Sequence, residues 1–137
     1  MIAQKQLRKM FHYDSNTGFF TRAIRRVNQL AGMRAGYCRR MEDRIIRIDD
    51  RYYYEHRLVW LFVYGYWPRG EIDHINRDGT DNRLSNLREA TRQQNQWNAK
   101  RRRDNSSGYK GVHFQTSAKK WVATIKFKGK STHLGAF

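Results

Sequence analysis

A chain of 137 residues is long enough for one ordinary domain or for two or three very small modules. A hydrophobic content of 39% and a mean hydropathy of −0.96 are low for one large core and favour small modules arranged along a ligand. The net charge of +16 points to a polyanionic partner, nucleic acid first, and the 14% aromatic content excludes a merely disordered basic tail.

A single cysteine, Cys38, excludes a disulfide framework or a zinc site of cysteine pairs within the chain, and it fits a reducing cytoplasm. The most apolar run, Leu58 to Tyr66, is far shorter than the roughly 18 apolar residues of a membrane span. No basic region followed by an apolar signal core opens the chain, so neither export nor membrane association is expected. Charge is distributed unevenly: residues 1–56 hold 12 Lys/Arg against 6 Asp/Glu, residues 57–98 hold 6 against 5, and residues 99–137 hold 10 against 1. A nearly neutral centre between basic flanks leaves most of the affinity for a polyanion to the two ends of the chain.

In chain order, Leu7, Met10 and Phe11 at helical spacing predict a short helix. Asp14 to Gly18 reads as a turn, and Phe19 to Thr21 as a strand leading into Arg22, Arg25 and Arg26. Gly32 and Gly36 punctuate a loop before Tyr37 to Arg40. Arg44 to Ile48 and Tyr52 to Tyr54 form a hairpin across Asp49 to Arg51, giving an antiparallel sheet with an arginine-rich surface. His56 to Tyr64 has the composition of a buried helix, ended by Gly65 and Pro68. At the start of such an apolar helix, His56 is expected to be a structural hydrogen-bonding residue.

Glu71 to Ile75 reads as a short strand carrying Asp73 and His74, followed by a polar loop over residues 76–85 whose return Leu84 and Leu87 anchor. Thr91 and Gln94 make a capping box for a helix from about Arg92 to Arg101, with Asn95 facing the strand. Lys100 to Gly108 is a basic linker in which Arg101, Arg102 and Arg103 track phosphates. Three strands close the chain: Gly111 to Phe114, Trp121 to Phe127 and Ser131 to Leu134, with Lys128 to Lys130 as the second turn. Alternation puts Trp121, Ala123, Ile125 and Phe127 on one face of the middle strand and Val122, Thr124 and Lys126 on the other.

The central stretch offers hydrolytic chemistry. A phosphodiester is cleaved when water is deprotonated and aimed in line while a cation stabilises charge on the phosphate. Asp73 and the side-chain oxygen of Asn95 are hard ligands suited to Mg²⁺, for which Mn²⁺ can substitute, with further positions left for water and phosphate oxygens. On an extended strand, His74 points away from Asp73 and is free to act as general base. Asn86 has no basic group and is cast as the brace that orients His74.

Asp73-His74, Asn86 and Asn95 resemble an HNH nuclease motif in the version with asparagine at its second and third positions, found in phage- and intron-encoded homing endonucleases. The resemblance runs through His56-Arg57-Leu58-Val59-Trp60, Ile72 to Asn76, Asp81-Asn82-Arg83, Ser85 to Arg88 and Thr91 to Asn95, within residues 7–100. It implies a ββα-metal fold, His74 as general base, Asp73 and Asn95 as metal ligands, Asn86 as the orienting residue, and double-stranded DNA as substrate. Lacking the cysteine pairs of some HNH proteins, this core is expected to be held by Leu84, Leu87, Trp97 and the apolar helix.

Gly108 to Val112, Lys120 to Ile125 and Leu134 to Phe137 resemble the DNA-binding domain of plant ethylene-response factors, a three-stranded sheet backed by a helix, matched here only as far as Phe137. That resemblance makes Lys119, Trp121, Lys126 and Lys128 candidate DNA contacts.

The expectation is thus an α+β protein: an N-terminal antiparallel DNA-binding region over residues 1–55, a ββα-metal HNH core over 56–100, a basic linker over 101–108 and a small three-stranded sheet over 109–137. The expected activity is Mg²⁺-dependent, site-specific DNA cleavage of homing type in the cytoplasm, the host's if the gene is a phage's. One site per chain favours a monomer nicking one strand. The alternatives are a phage nuclease in DNA packaging or host-DNA degradation, and a non-catalytic DNA-binding regulator.

Overall fold

The computed structural model describes residues 1–25, 30–39, 43–101, 103–127 and 129–137, the side chain of Arg39 aside. The expected DNA contacts Arg26, Arg102 and Lys128 lie outside the described residues. The chain divides into two compact units, residues 1–98 and 99–137.

The first unit opens with helix α1 (Gln4–Met10), which buries Leu7 and Met10. Phe11, expected in that helix, instead begins strand β1 (Phe11–Asp14), paired antiparallel with β2 (Phe19–Arg22). Its ring is fully buried edge-on to Phe20, a placement that an extended backbone allows and a further helical turn would not. Strands β3 (Tyr37–Arg39), β4 (Asp43–Ile48) and β5 (Arg51–Tyr54) form an antiparallel sheet in that order. Asp49 and Asp50 turn β4 into β5 with φ of 47° and 61°, the conformation of a tight two-residue hairpin loop.

Helix α2 (Glu55–Tyr64) follows without a break and buries Leu58, Val59, Trp60 and Leu61, and Gly65 ends it at φ 83° with its N–H on the Leu61 carbonyl. These side chains join Leu7, Phe11, Phe20, Ile46, Ile48, Ile72 and Leu87 in one core. That core therefore draws on residues from both sides of position 55. Each fully buried aliphatic or aromatic side chain in it contributes about 1.5–3 kcal/mol.

Strand β6 (Glu71–His74) pairs antiparallel with β7 (Leu87–Ala90), and helix α3 (Arg92–Asn98) packs on the pair. The strand β7 completes the return that the sequence reading assigned to Leu84 and Leu87, preceded by a 3₁₀ turn over Leu84–Asn86. The Thr91 hydroxyl accepts from the Gln94 N–H at 3.2 Å and the Gln94 side chain accepts from the Thr91 N–H at 2.8 Å, so the capping box forms. Two expectations are corrected. α3 ends at Asn98 rather than near Arg101, where Asn98 turns its amide onto β6. Trp97 is no core residue: it is 51% exposed, because α3 turns its polar side to β6.

In the second unit, β8 (Val112–Gln115), β9 (Lys120–Phe127) and β10 (Lys130–Ala136) form a three-stranded antiparallel sheet with β9 central. Val122 is buried, and Trp121 meets its cross-strand partner Phe114 edge-on at 5.2 Å.

Candidate active site

Because successive strand residues face opposite ways, β6 presents Glu71 and Asp73 to one side and Ile72 and His74 to the other. Ile72 and His74 turn toward the core side, where α2 lies. Glu71 and Asp73 turn toward α3. There the Asn95 amide donates to the Glu71 carboxylate at 2.6 Å, and the Asn98 amide donates to Asp73 Oδ1 at 2.9 Å. Residues three apart on a helix thus meet carboxylates two apart on a strand. The Asn98 amide also donates to the His74 carbonyl at 2.7 Å.

Asp73 is 4% exposed, and its other oxygen accepts from the cross-strand Arg88 Nε at 2.8 Å. Asn95 therefore faces β6 as expected, but the amide seated on Asp73 is that of Asn98. Beside these partners, Arg88, Glu89, Ala90, Gln94, Trp97 and Asn98 line a groove of about 450 Å³.

On the other face, His74 Nε2 lies 3.0 Å from Asn82 Oδ1. Asn82 is 1% exposed: its Nδ2 donates to Glu55 Oε2 at 3.1 Å, and its backbone carbonyl accepts from the Tyr13 hydroxyl at 2.9 Å. Glu55 is wholly buried, where burial pushes its carboxyl pKa up and the Arg44 guanidinium, 2.7 Å away, opposes that shift. Its second oxygen faces the Phe20 N–H at 3.5 Å.

The loop between β6 and β7 carries Asn82 to His74, and Asn86 ties that loop. Asn86 Oδ1 accepts from the Asn76 N–H at 3.0 Å, while its Nδ2 donates to Asn76 Oδ1 at 3.0 Å and to the Asp81 carbonyl at 2.8 Å. The Arg83 side chain hydrogen-bonds Asp81 and holds its carboxyl near a pKa of about 2. Asn86 is buried among these contacts.

His56 stands edge-on to His74, ring centroids 5.1 Å apart, and stacks on Tyr54. Burial, then the neighbouring His74, hold its pKa down to about 3, so it is neutral. Among the described residues its Nδ1 has no hydrogen-bond partner, and it lies 3.9 Å from Asp43 Oδ1. Asp43, His56 and His74 each offer a ligand atom within 4.8 Å of the others, a group that could hold a metal ion.

Of the expected backbone contacts, Arg22 is half-buried with its guanidinium 5.5 Å from the Phe11 ring, and Arg25 is exposed. Arg101, Arg103, Lys119 and Lys126 are exposed, and Trp121 is half-buried. Sequence reasoning missed Glu55, Arg44, Asn82, Arg88 and Asn98. Asn82 lies within the Asp81-Asn82-Arg83 stretch of the motif, whereas Glu55 and Arg44 reach the site only through contacts distant in sequence.

Residues 53–97 match the HNH endonuclease family. The curated Protein 3.8 of Escherichia phage T7 is similar to this chain, 37% identical over 76 residues that cover 55% of this chain and 63% of the phage protein. The similarity thus spans less than two thirds of that relative's length. No solved structure matches the chain. The family match covers 45 of the 137 residues and includes Asp73, His74, Asn86 and Asn95. No helix among the described residues is long and apolar enough to cross a membrane.

Proposed function

We propose that this chain is a phage-type HNH endonuclease that hydrolyses a DNA phosphodiester bond, with His74 as general base and Asp73 and Asn95 as the residues that hold a divalent cation. The observation that carries the proposal is the division of labour across β6: adjacent residues Asp73 and His74 face different partner sets, the asparagine amides of α3 on one side and the buried Asn82 on the other.

The residues fit a hard cation. Asp73 offers a carboxylate on which a cation would take the place of the Arg88 guanidinium, and Asn95, donating through its nitrogen to Glu71, keeps its amide oxygen as a ligand atom. A bound Mg²⁺, or Mn²⁺ in its place, supplies charge stabilisation at the phosphate and the leaving oxygen. His74 accepts the proton of the attacking water as its oxygen bonds to phosphorus and the bond to the leaving oxygen breaks. Asn86 acts through the loop it ties, keeping the ring's surroundings in place. Arg22, Arg25, Arg101, Arg103, Lys119, Trp121 and Lys126 engage the DNA, and together with the excess charge of residues 99–137 they supply affinity rather than chemistry. In the finer reading, the enzyme nicks one strand as a monomer, with the site preference of a homing endonuclease. The likeness to a phage protein equally favours a phage nuclease.

Supercoiled plasmid treated with the chain and Mg²⁺ is expected to give nicked circles, and none in EDTA. His74→Ala is expected to lower the rate by about 10²–10⁴. The assignment fails if His74→Ala and Asp73→Ala both cut as well as the parent.

A further inference from the structure

We infer that Asn82 and Glu55 are positioning residues that set the tautomer and the presented face of His74, so that Nδ1, not Nε2, is the nitrogen offered to water. This rests on the reading of His74 as the base.

The inference follows hydrogen-bond polarity along a buried chain. Glu55 is wholly buried against Arg44, whose Nε donates to Oε2 at 2.7 Å and whose terminal nitrogen also donates to the Ala35 and Gly36 carbonyls. A carboxylate held between a guanidinium and the Phe20 N–H is an acceptor. The Asn82 group facing Glu55 must therefore be its NH₂, which donates at 3.1 Å. With the amide nitrogen spent there, Asn82 turns its oxygen to His74 Nε2 at 3.0 Å. An amide oxygen only accepts, so Nε2 carries the hydrogen and the lone pair sits on Nδ1. Each polarity is imposed by the group behind it, and the sequence of constraint begins at Arg44, 30 residues before the histidine.

The relay is also held in space. The Tyr13 hydroxyl donates to the Asn82 carbonyl at 2.9 Å, and Gly18 presses on the same peptide so closely that a Cβ there would stand 2.5 Å from the Asn82 carbonyl carbon. On the ring's other side, neutral His56 packs edge-on at 5.1 Å and restricts rotation. Two hairpins and a helix N-terminus of the first unit thus converge on one imidazole nitrogen. The region before residue 56 serves the chemistry in this way, beside any part it plays in holding DNA.

The test uses the full chain with ¹⁵N-labelled histidine. In the parent, long-range ¹H–¹⁵N spectra of neutral His74 should show a single Nε2–H tautomer whose proton exchanges slowly with solvent. Asn82→Ala should give a mixture of tautomers with fast exchange, and should lower kcat on supercoiled plasmid by about 10²-fold with KM little changed. Asn82→Asp places two carboxylates together and should be as poor. A parent His74 in the Nδ1–H form would overturn the inference, as would an Asn82→Ala protein that keeps kcat. If the parent cuts no DNA, the nuclease reading fails, while the spectra still decide the relay.

Discussion

Arg88 is bonded to Asp73 across the β6–β7 pair, with Nε at 2.8 Å and a terminal nitrogen at 2.7 Å from the same carboxylate oxygen. A guanidinium there satisfies the charge that a divalent cation would otherwise satisfy, so the two compete for Asp73. Arg88→Met is expected to tighten Mn²⁺ binding by about tenfold, or ~1.4 kcal/mol, in titrations without DNA. Weaker Mn²⁺ binding in Arg88→Met would show instead that Arg88 only holds the carboxylate in place.

Asn98 and Asn95 are separable. Asn98→Ala removes hydrogen bonds to both Asp73 and the His74 carbonyl and is expected to cost about 1–3 kcal/mol in urea unfolding. Asn95→Ala removes one contact to Glu71 and should cost less stability while lowering cleavage more. Equal effects of both changes on stability and on cleavage would contradict the separate placements.

Gly18 has φ +74°, and a Cβ there would stand 2.4 Å from the Arg83 backbone nitrogen. The opposing atoms are backbone and cannot swing away, so Gly18→Ala must push the Asn82–Arg83 peptide from β1 and β2. Lowered thermal stability together with lowered cleavage is the expected outcome, and a protein with parental cleavage would show that the loop tolerates the shift.

His56 makes stability pH-dependent. Its folded pKa of about 3 lies below the unfolded value near 6.5, so below pH 6.5 the unfolded chain binds a proton that the folded chain refuses. Stability is therefore lost as pH falls from 6.5 toward 3. His56→Gln removes this response, and the stability difference between parent and variant should change by about 1.2 kcal/mol between pH 6 and 5. Parallel curves for the two proteins over that range would exclude a buried neutral His56.

The group of Asp43, His56 and His74 suits an ion that prefers imidazole over water, unlike Mg²⁺. Zn²⁺ added to a Mg²⁺ reaction is expected to inhibit by engaging His74. Asp43→Asn should weaken that inhibition several-fold, and unchanged Zn²⁺ sensitivity would place the inhibitory ion elsewhere.

Sequence alone determined the elements whose signals are local. The apolar run before Gly65 made α2, Thr91 with Gln94 opened α3, and alternation on β6 separated Asp73 from His74, because capping, positive φ and strand periodicity act within a few residues. Folding decided what each of those side chains meets. It brought Asn98 rather than Asn95 to Asp73, left Trp97 half-exposed, and joined Arg44, Glu55 and Asn82 to His74. Those outcomes depend on where strands, loop and helix lie relative to one another, and the buried acceptors and donors then had to find partners wherever packing had placed them.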